Sequence, residues 1–167
     1  CNPPAGQSGG RRWIELTAIS NVNVVSYQIF SANGTGSSDW KTISPGNMGT
    51  GDHILIVEDK DIFGAENPLH NEATMIEAPN LFANMSSVSG ELSIRYTPSG
   101  APSVWLTNIK WGDSSRSQPR VDGNGPNHWS GPRIPSPGQG ETMRYVYDDP
   151  PGTPTCKDYW RVSNVQS

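Results

Sequence analysis

Short apolar runs with a period of two, each closed within a few residues by Gly, Pro, Asn or Asp, recur along this chain and leave little room for anything but strands and turns. Eighteen glycines and fifteen prolines stand among its 167 residues. Proline removes a backbone donor and glycine carries an entropy penalty inside a helix, so long helices are excluded at this density. Trp13 to Ile19, Val22 to Phe30, Trp40 to Ile43, His53 to Glu58, Ala73 to Glu77, Glu91 to Thr97, Ser103 to Ile109, Glu141 to Tyr147 and Lys157 to Val162 read as strands. They predict an all-β fold, a flattened antiparallel β-sandwich or barrel of about nine to eleven strands. One domain spanning 1–167 is expected at this length, with a single core.

The strands differ in what they say about burial. Leu92, Ile94 and Tyr96 alternate with Glu91, Ser93, Arg95 and Thr97, which predicts one buried and one wet face. Ile54-Leu55-Ile56-Val57 does not alternate, and reads as a central strand covered on both sides. Gly112 to Gly140 is dense in Pro, Gly, Ser, Asn and Asp, and reads as a long Pro/Gly-rich loop over the sandwich, too polar for core. Asn33-Gly34 carries the signal of a two-residue type I′ hairpin turn.

Charge and cysteine usage narrow the function classes. A net charge of −4 gives no general attraction to phosphates, so nucleic acid is disfavoured as a partner. No apolar run is long enough for a membrane-spanning helix. The chain opens at Cys1 rather than Met, which predicts a removed upstream segment, a secretory signal first among them. Cys1 and Cys156 near opposite ends fit one disulfide, stabilising by about 5 kcal/mol in the chain-entropy picture. The other reading is a lipid-modified opening cysteine with Cys156 unpaired. Asn33-Gly-Thr35 and Asn84-Met-Ser86 are N-glycosylation sequons and agree with export.

The stretch Tyr145-Val-Tyr147-Asp148-Asp149-Pro-Pro-Gly-Thr153-Pro-Thr155-Cys156-Lys-Asp-Tyr159-Trp-Arg161-Val162 reads as a strand, an acidic Pro/Gly corner, a cysteine and a closing strand. It resembles the closing segment of thaumatin-like proteins, the family that includes the osmotins. Upstream, Ser86-Ser-Val88-Ser-Gly90-Glu-Leu-Ser-Ile-Arg-Tyr-Thr-Pro98 resembles that family's Asp-x-Ser-x-Val-x-Gly segment and the strand after it, in the same order along the chain. Two cysteines stand where the plant proteins have many, and Pro98 to Glu141 is shorter than the family's second domain, so the resemblance implies a small, divergent member.

The resemblance also implies a cleft, in which some family members bind or slowly hydrolyse β-1,3-glucan. Glu77 looks like the cleft glutamate, His70 stands where an arginine is usual, Glu141 where an aspartate is usual, and Asn84 replaces the aspartate of Asp-x-Ser. Paired carboxylates serve glycoside hydrolysis only at a separation of about 5 to 9.5 Å with pKa values driven apart. Asn84 can act as neither acid nor base, so binding is expected rather than catalysis. The competing reading leaves Glu77 and Glu141 as solvated carboxylates at strand or loop edges.

Other candidates are set by residue chemistry. Trp111, Trp129 and Trp160 are candidate sugar-stacking aromatics, Trp129 foremost, although a loop tryptophan also serves to pin its own loop; Trp13, Trp40 and Trp105 sit in strand patterns and read as core. Asp52, His53, Glu58, Asp59, Asp61, Glu66, His70 and Glu72 form a dense acidic and imidazole segment, read as a solvated turn because the ligand spacing of a calcium loop is missing. No metal, cofactor, phosphate loop or nucleophile elbow is expected. The expectation is therefore a secreted, extracellular, monomeric protein that contacts cell-wall polysaccharide or an extracellular protein, in the manner of a defence protein, effector or elicitor. A weak endo-β-1,3-glucanase using Glu77 and Glu141, and a structural surface protein, are the alternatives.

Overall fold

A computed structural model of the chain describes residues 10–33, 38–67, 74–83, 85, 88–97, 99–112, 132–138, 140–145 and 160–164. In chain order these residues form β1 (Trp13–Thr17), β2 (Val22–Val24), β3 (Tyr27–Asn33), β4 (Ser38–Ile43), β5 (Gly46–Met48) and β6 (His53–Val57). There follow α1 (Lys60–Glu66), β7 (Thr74–Glu77), α2 (Pro79–Ala83), β8 (Ser89–Tyr96), β9 (Val104–Gly112), β10 (Glu141–Tyr145) and β11 (Trp160–Asn164). The architecture is all-β apart from two short helices. A four-stranded sheet runs β4-β3-β8-β9, a three-stranded sheet β1-β6-β7, and β2-β5 and β10-β11 form two-stranded ribbons.

Strand β6 carries out the role its sequence dictates. It lies between β1 and β7, with Ile54 and Ile56 in the main core and Leu55 and Val57 in a second cluster. Phe63 of α1 belongs to that second cluster, so α1 covers the other face of the sheet. Each such side chain contributes about 1.5–3 kcal/mol on burial. The helix begins where Asp59, in extended backbone, accepts the Ile62 amide through its side chain at 2.9 Å. The segment expected as an acidic turn is thus a capped helix, and it makes a crossover: β7 pairs with β6 in parallel, an exception to the antiparallel expectation.

The main core draws on every sheet. Ile29, Ile43, Leu92, Ile109 and Trp111 come from the four-stranded sheet, Val24 and Met48 from the β2-β5 ribbon, and Leu81 and Phe82 from α2; Met143 and Val162 of the last ribbon pack against it. Ser31 of β3 donates its hydroxyl to the Leu81 carbonyl at 2.6 Å and so fixes α2 on the sheet. Trp111, expected as a ligand-stacking ring, is 1 % exposed and belongs to this core. It fits because Gly90 opposite has no side chain: a Cβ there would stand 2.3 Å from the indole. Ile134, inside the segment read as too polar for core, is buried against the same cluster and bridges Trp111 in parallel.

Several local expectations are corrected. Val22 to Phe30 is two strands, because Ser26 takes a left-handed φ of 64° and redirects the chain. The residues before it pair with β5, and those after it with β4 and β8. Asn33-Gly34 does not form a two-residue turn: Ala32 pairs with Ser38, whereas such a turn would pair it with Thr35. The face of β8 expected to be wet is closed at Glu91 and Ser93, both fully buried.

Candidate functional site

Glu77 ends β7, an edge strand of the three-stranded sheet, and is exposed. Glu141 opens β10 in a different sheet. Its Oε2 accepts the Gly138 amide at 2.5 Å while its own amide donates to the Gly138 carbonyl, so the carboxylate closes a tight turn. The two carboxylates share neither a sheet nor a hydrogen bond. Asn33, half-buried, ends β3. His70, Asn84, Trp129, Cys1 and Cys156 lie outside the described residues.

The acidic segment resolves into individual partnerships. Asp52 accepts the Gly49 amide, Glu66 pairs with Arg11, and His53 faces both Glu15 and Thr17. The Glu58 carboxylate accepts two hydrogen bonds from the Arg12 guanidinium and one from the Arg12 amide, and the same guanidinium donates to the Phe82 and Met85 carbonyls while lying over the Phe82 ring. Burial pushes the Glu58 carboxyl up, but the Arg12 hydrogen bonds and charge, with the Gly10 amide, outweigh it and hold the group below its ordinary value. Among the described residues no three His, Cys, Asp or Glu side chains gather as a metal site.

The chemistry that sequence reading missed lies on the four-stranded sheet. Glu91 and Ser93 of β8 and Asn108 of β9 share a face and are fully buried. Asn108 Nδ2 donates to Glu91 Oε1 at 2.7 Å and to Ser93 Oγ at 2.6 Å, and Ser93 Oγ lies 3.3 Å from the same carboxyl oxygen. Glu91 Oε2 and Asn108 Oδ1 have no partner among the described residues. Burial pushes the Glu91 carboxyl up, and the charges of Lys110 and Arg133 and the two side-chain hydrogen bonds offset only part of this. Burial thus shifts the balance toward the neutral acid, which can donate as well as accept. The alternation of β8 marked this face as polar; the cross-strand match of Ser93 to Asn108, set by a register that shifts at Ile94/Arg95, was the hidden part.

Further along the same face, Arg95 donates to Gln28 Oε1 at 2.8 Å and its guanidinium lies 3.9 Å from the centre of the Trp40 ring. Trp40 also meets Phe30, ring centres 4.4 Å apart, and remains 37 % exposed. Trp40 is therefore only partly the core residue its strand pattern predicts: its indole lies under a cation at the surface. Trp13 packs partly buried on the second cluster. The ring positions of Trp105, Trp129 and Trp160 lie outside the described residues.

No helix among the described residues is long and apolar enough to cross a membrane. Comparison with family models, curated proteins and solved structures finds no match to this chain.

Proposed function

We propose that this chain is a secreted, monomeric, single-domain binding protein of the thaumatin-like type, a flattened β-sandwich that contacts cell-wall polysaccharide, β-1,3-glucan first, without hydrolysing it. The observation that carries the non-catalytic reading is the engagement of Glu141. Its carboxylate accepts a turn amide, and Glu77 lies on another sheet. A glycosidase needs one carboxyl to protonate the leaving oxygen and a second, across the scissile bond, to attack or to activate water. Several sheets gathered on one hydrophobic cluster support the sandwich reading. A role as defence protein, effector or elicitor in encounters between plants and microbes follows from the resemblance to thaumatin-like proteins.

The test is retention on insoluble β-1,3-glucan, cellulose and chitin, with the soluble fraction assayed for reducing ends. Retention without release is the expected result. Release that disappears in Glu141→Gln would make the chain a hydrolase, and absence of retention on all three polymers would turn the search to an extracellular protein partner.

A further inference from the structure

The β2-β5 ribbon is an unusual place for its residues. Asn23 and Asn47 face each other directly across it, in the middle of two three-residue strands. Asparagine is depleted in strands because its short side chain competes with the backbone for hydrogen bonds and packs poorly on a pleated surface. Both carboxamides are exposed, and neither forms a hydrogen bond within the described residues. The ribbon itself is anchored from behind, where Val24 and Met48 enter the main core.

These two side chains line an open cleft of about 450 Å³ together with Asn21, Val22, Met48 and Gly49. Its size lies within the ordinary range for small-molecule sites, roughly 300–1,000 Å³. Asn21 Oδ1 accepts the Thr50 amide at 3.2 Å, which fixes that carboxamide and leaves its NH₂ for another acceptor. The adjoining turn is held by Asp52, which accepts the Gly49 amide at 2.7 Å and donates its own amide to the Gly49 carbonyl. Among the described residues no charged side chain lines the cleft.

We propose that the Asn21, Asn23 and Asn47 cleft on the β2-β5 ribbon binds a neutral, hydroxyl-rich ligand, a stretch of polysaccharide. The proposal rests on the polysaccharide-binding reading above and gives it a site. Each carboxamide offers two donors and an acceptor, the complement of a sugar hydroxyl that donates once and accepts twice. The absence of charge disfavours phosphate, carboxylate and ammonium groups, which need a counter-charge when they leave water. The shallow, open form, with Val22 and Met48 beside the three carboxamides, suits a sugar chain, which presents both apolar ring faces and hydroxyls, better than a peptide, whose anchoring side chains need deep apolar pockets.

The experiment titrates the isotope-labelled full chain with oligosaccharides of β-1,3-glucan, cellulose and chitin, following asparagine side-chain amides by NMR. Retention on the matching insoluble polymer is compared for the wild type and an Asn23→Val, Asn47→Val double variant. Saturable shifts at Asn21, Asn23 and Asn47, with affinity at least about tenfold weaker in the variant, are expected from the loss of two or more hydrogen bonds. Valine suits a strand, and near-ultraviolet dichroism checks that the fold is kept. The wild-type titration stands by itself if the variant fails to fold. Wild-type retention with unmoved cleft amides and an unaffected variant would overturn the cleft while leaving the glycan reading intact. Absence of retention and of shifts with every glycan would overturn both, and cleft shifts with an unstructured peptide but no sugar would replace the glycan by a protein partner.

Discussion

Asn108 donates to Glu91 Oε1 across 2.7 Å inside a cluster that solvent does not reach, and this carboxamide-to-carboxyl contact makes an acid a structural part of the sheet. Its pH behaviour follows from linkage. The folded-state pKa of Glu91 is raised above its ordinary value of 4.5, so its contribution to stability is fully present below that value and is lost as pH rises through the folded pKa. Urea midpoints of the wild type should therefore fall on the alkaline side of that range, while Glu91→Gln, neutral at every pH, should flatten this part of the profile. An unchanged profile in Glu91→Gln would remove Glu91 as its source.

Arg12 supplies the opposite limb. Glu58 is held below its ordinary value, so its contribution is present above the unfolded pKa and is lost as pH falls through the folded one. Arg12→Met should remove that acid-side dependence and cost about 2–3 kcal/mol, less than a fully buried pair because both side chains keep some exposure. Chemical denaturation at neutral and acidic pH reads both effects. Loss of the Phe82 and Met85 carbonyl contacts should also free α2, visible as faster amide exchange there.

Gly90→Ala tests the fit of Trp111. A Cβ at Gly90 meets three indole atoms within 2.9 Å, so the ring must move or the strands must part. The expected loss is about 1–3 kcal/mol, together with a red-shifted tryptophan emission as the ring leaves its dry site. Wild-type stability in this variant would mean that the two strands separate easily.

Asn23→Val with Asn47→Val should move binding and stability in opposite directions. Two residues poorly suited to strands are exchanged for one that is well suited, so thermal unfolding should stay level or rise, by up to about 1 kcal/mol, while glycan retention falls. A drop in both would mean that the asparagines serve the ribbon rather than a ligand.

Legibility in the sequence followed the strength of local signals. The Ile54 to Val57 run announced its covering on both faces because four consecutive apolar residues have no other stable place, and β8 was evident from its alternation. Ser26 was not legible: a left-handed serine carries no marker of the kind a glycine gives. β5, only Gly-Asn-Met, is too short to show a period, and α1 hid behind its acidic residues although Asp59 three residues before Ile62 is a capping signal. For the site, the sequence pointed to individual acids, whereas the structure shows partnerships: Glu141 with its turn, Glu91 with Asn108, Arg95 with Trp40. Such pairings depend on register between distant segments, which no window along the chain contains.

The pairing of β1 with β6 joins residues as close as Thr17 and His53, 36 positions apart, and β7 is added only after α1 has crossed over. On a ribosome β1 therefore emerges long before its partner, and β6 emerges with β1 at hand for one edge but before β7 can cover the other. The most apolar of the described strands thus spends part of its synthesis with one edge open as a template for neighbouring chains. Closure of the long loop between β1 and β6 should set the folding rate, and the yield of folded protein should depend on how quickly that loop closes relative to encounters between nascent chains.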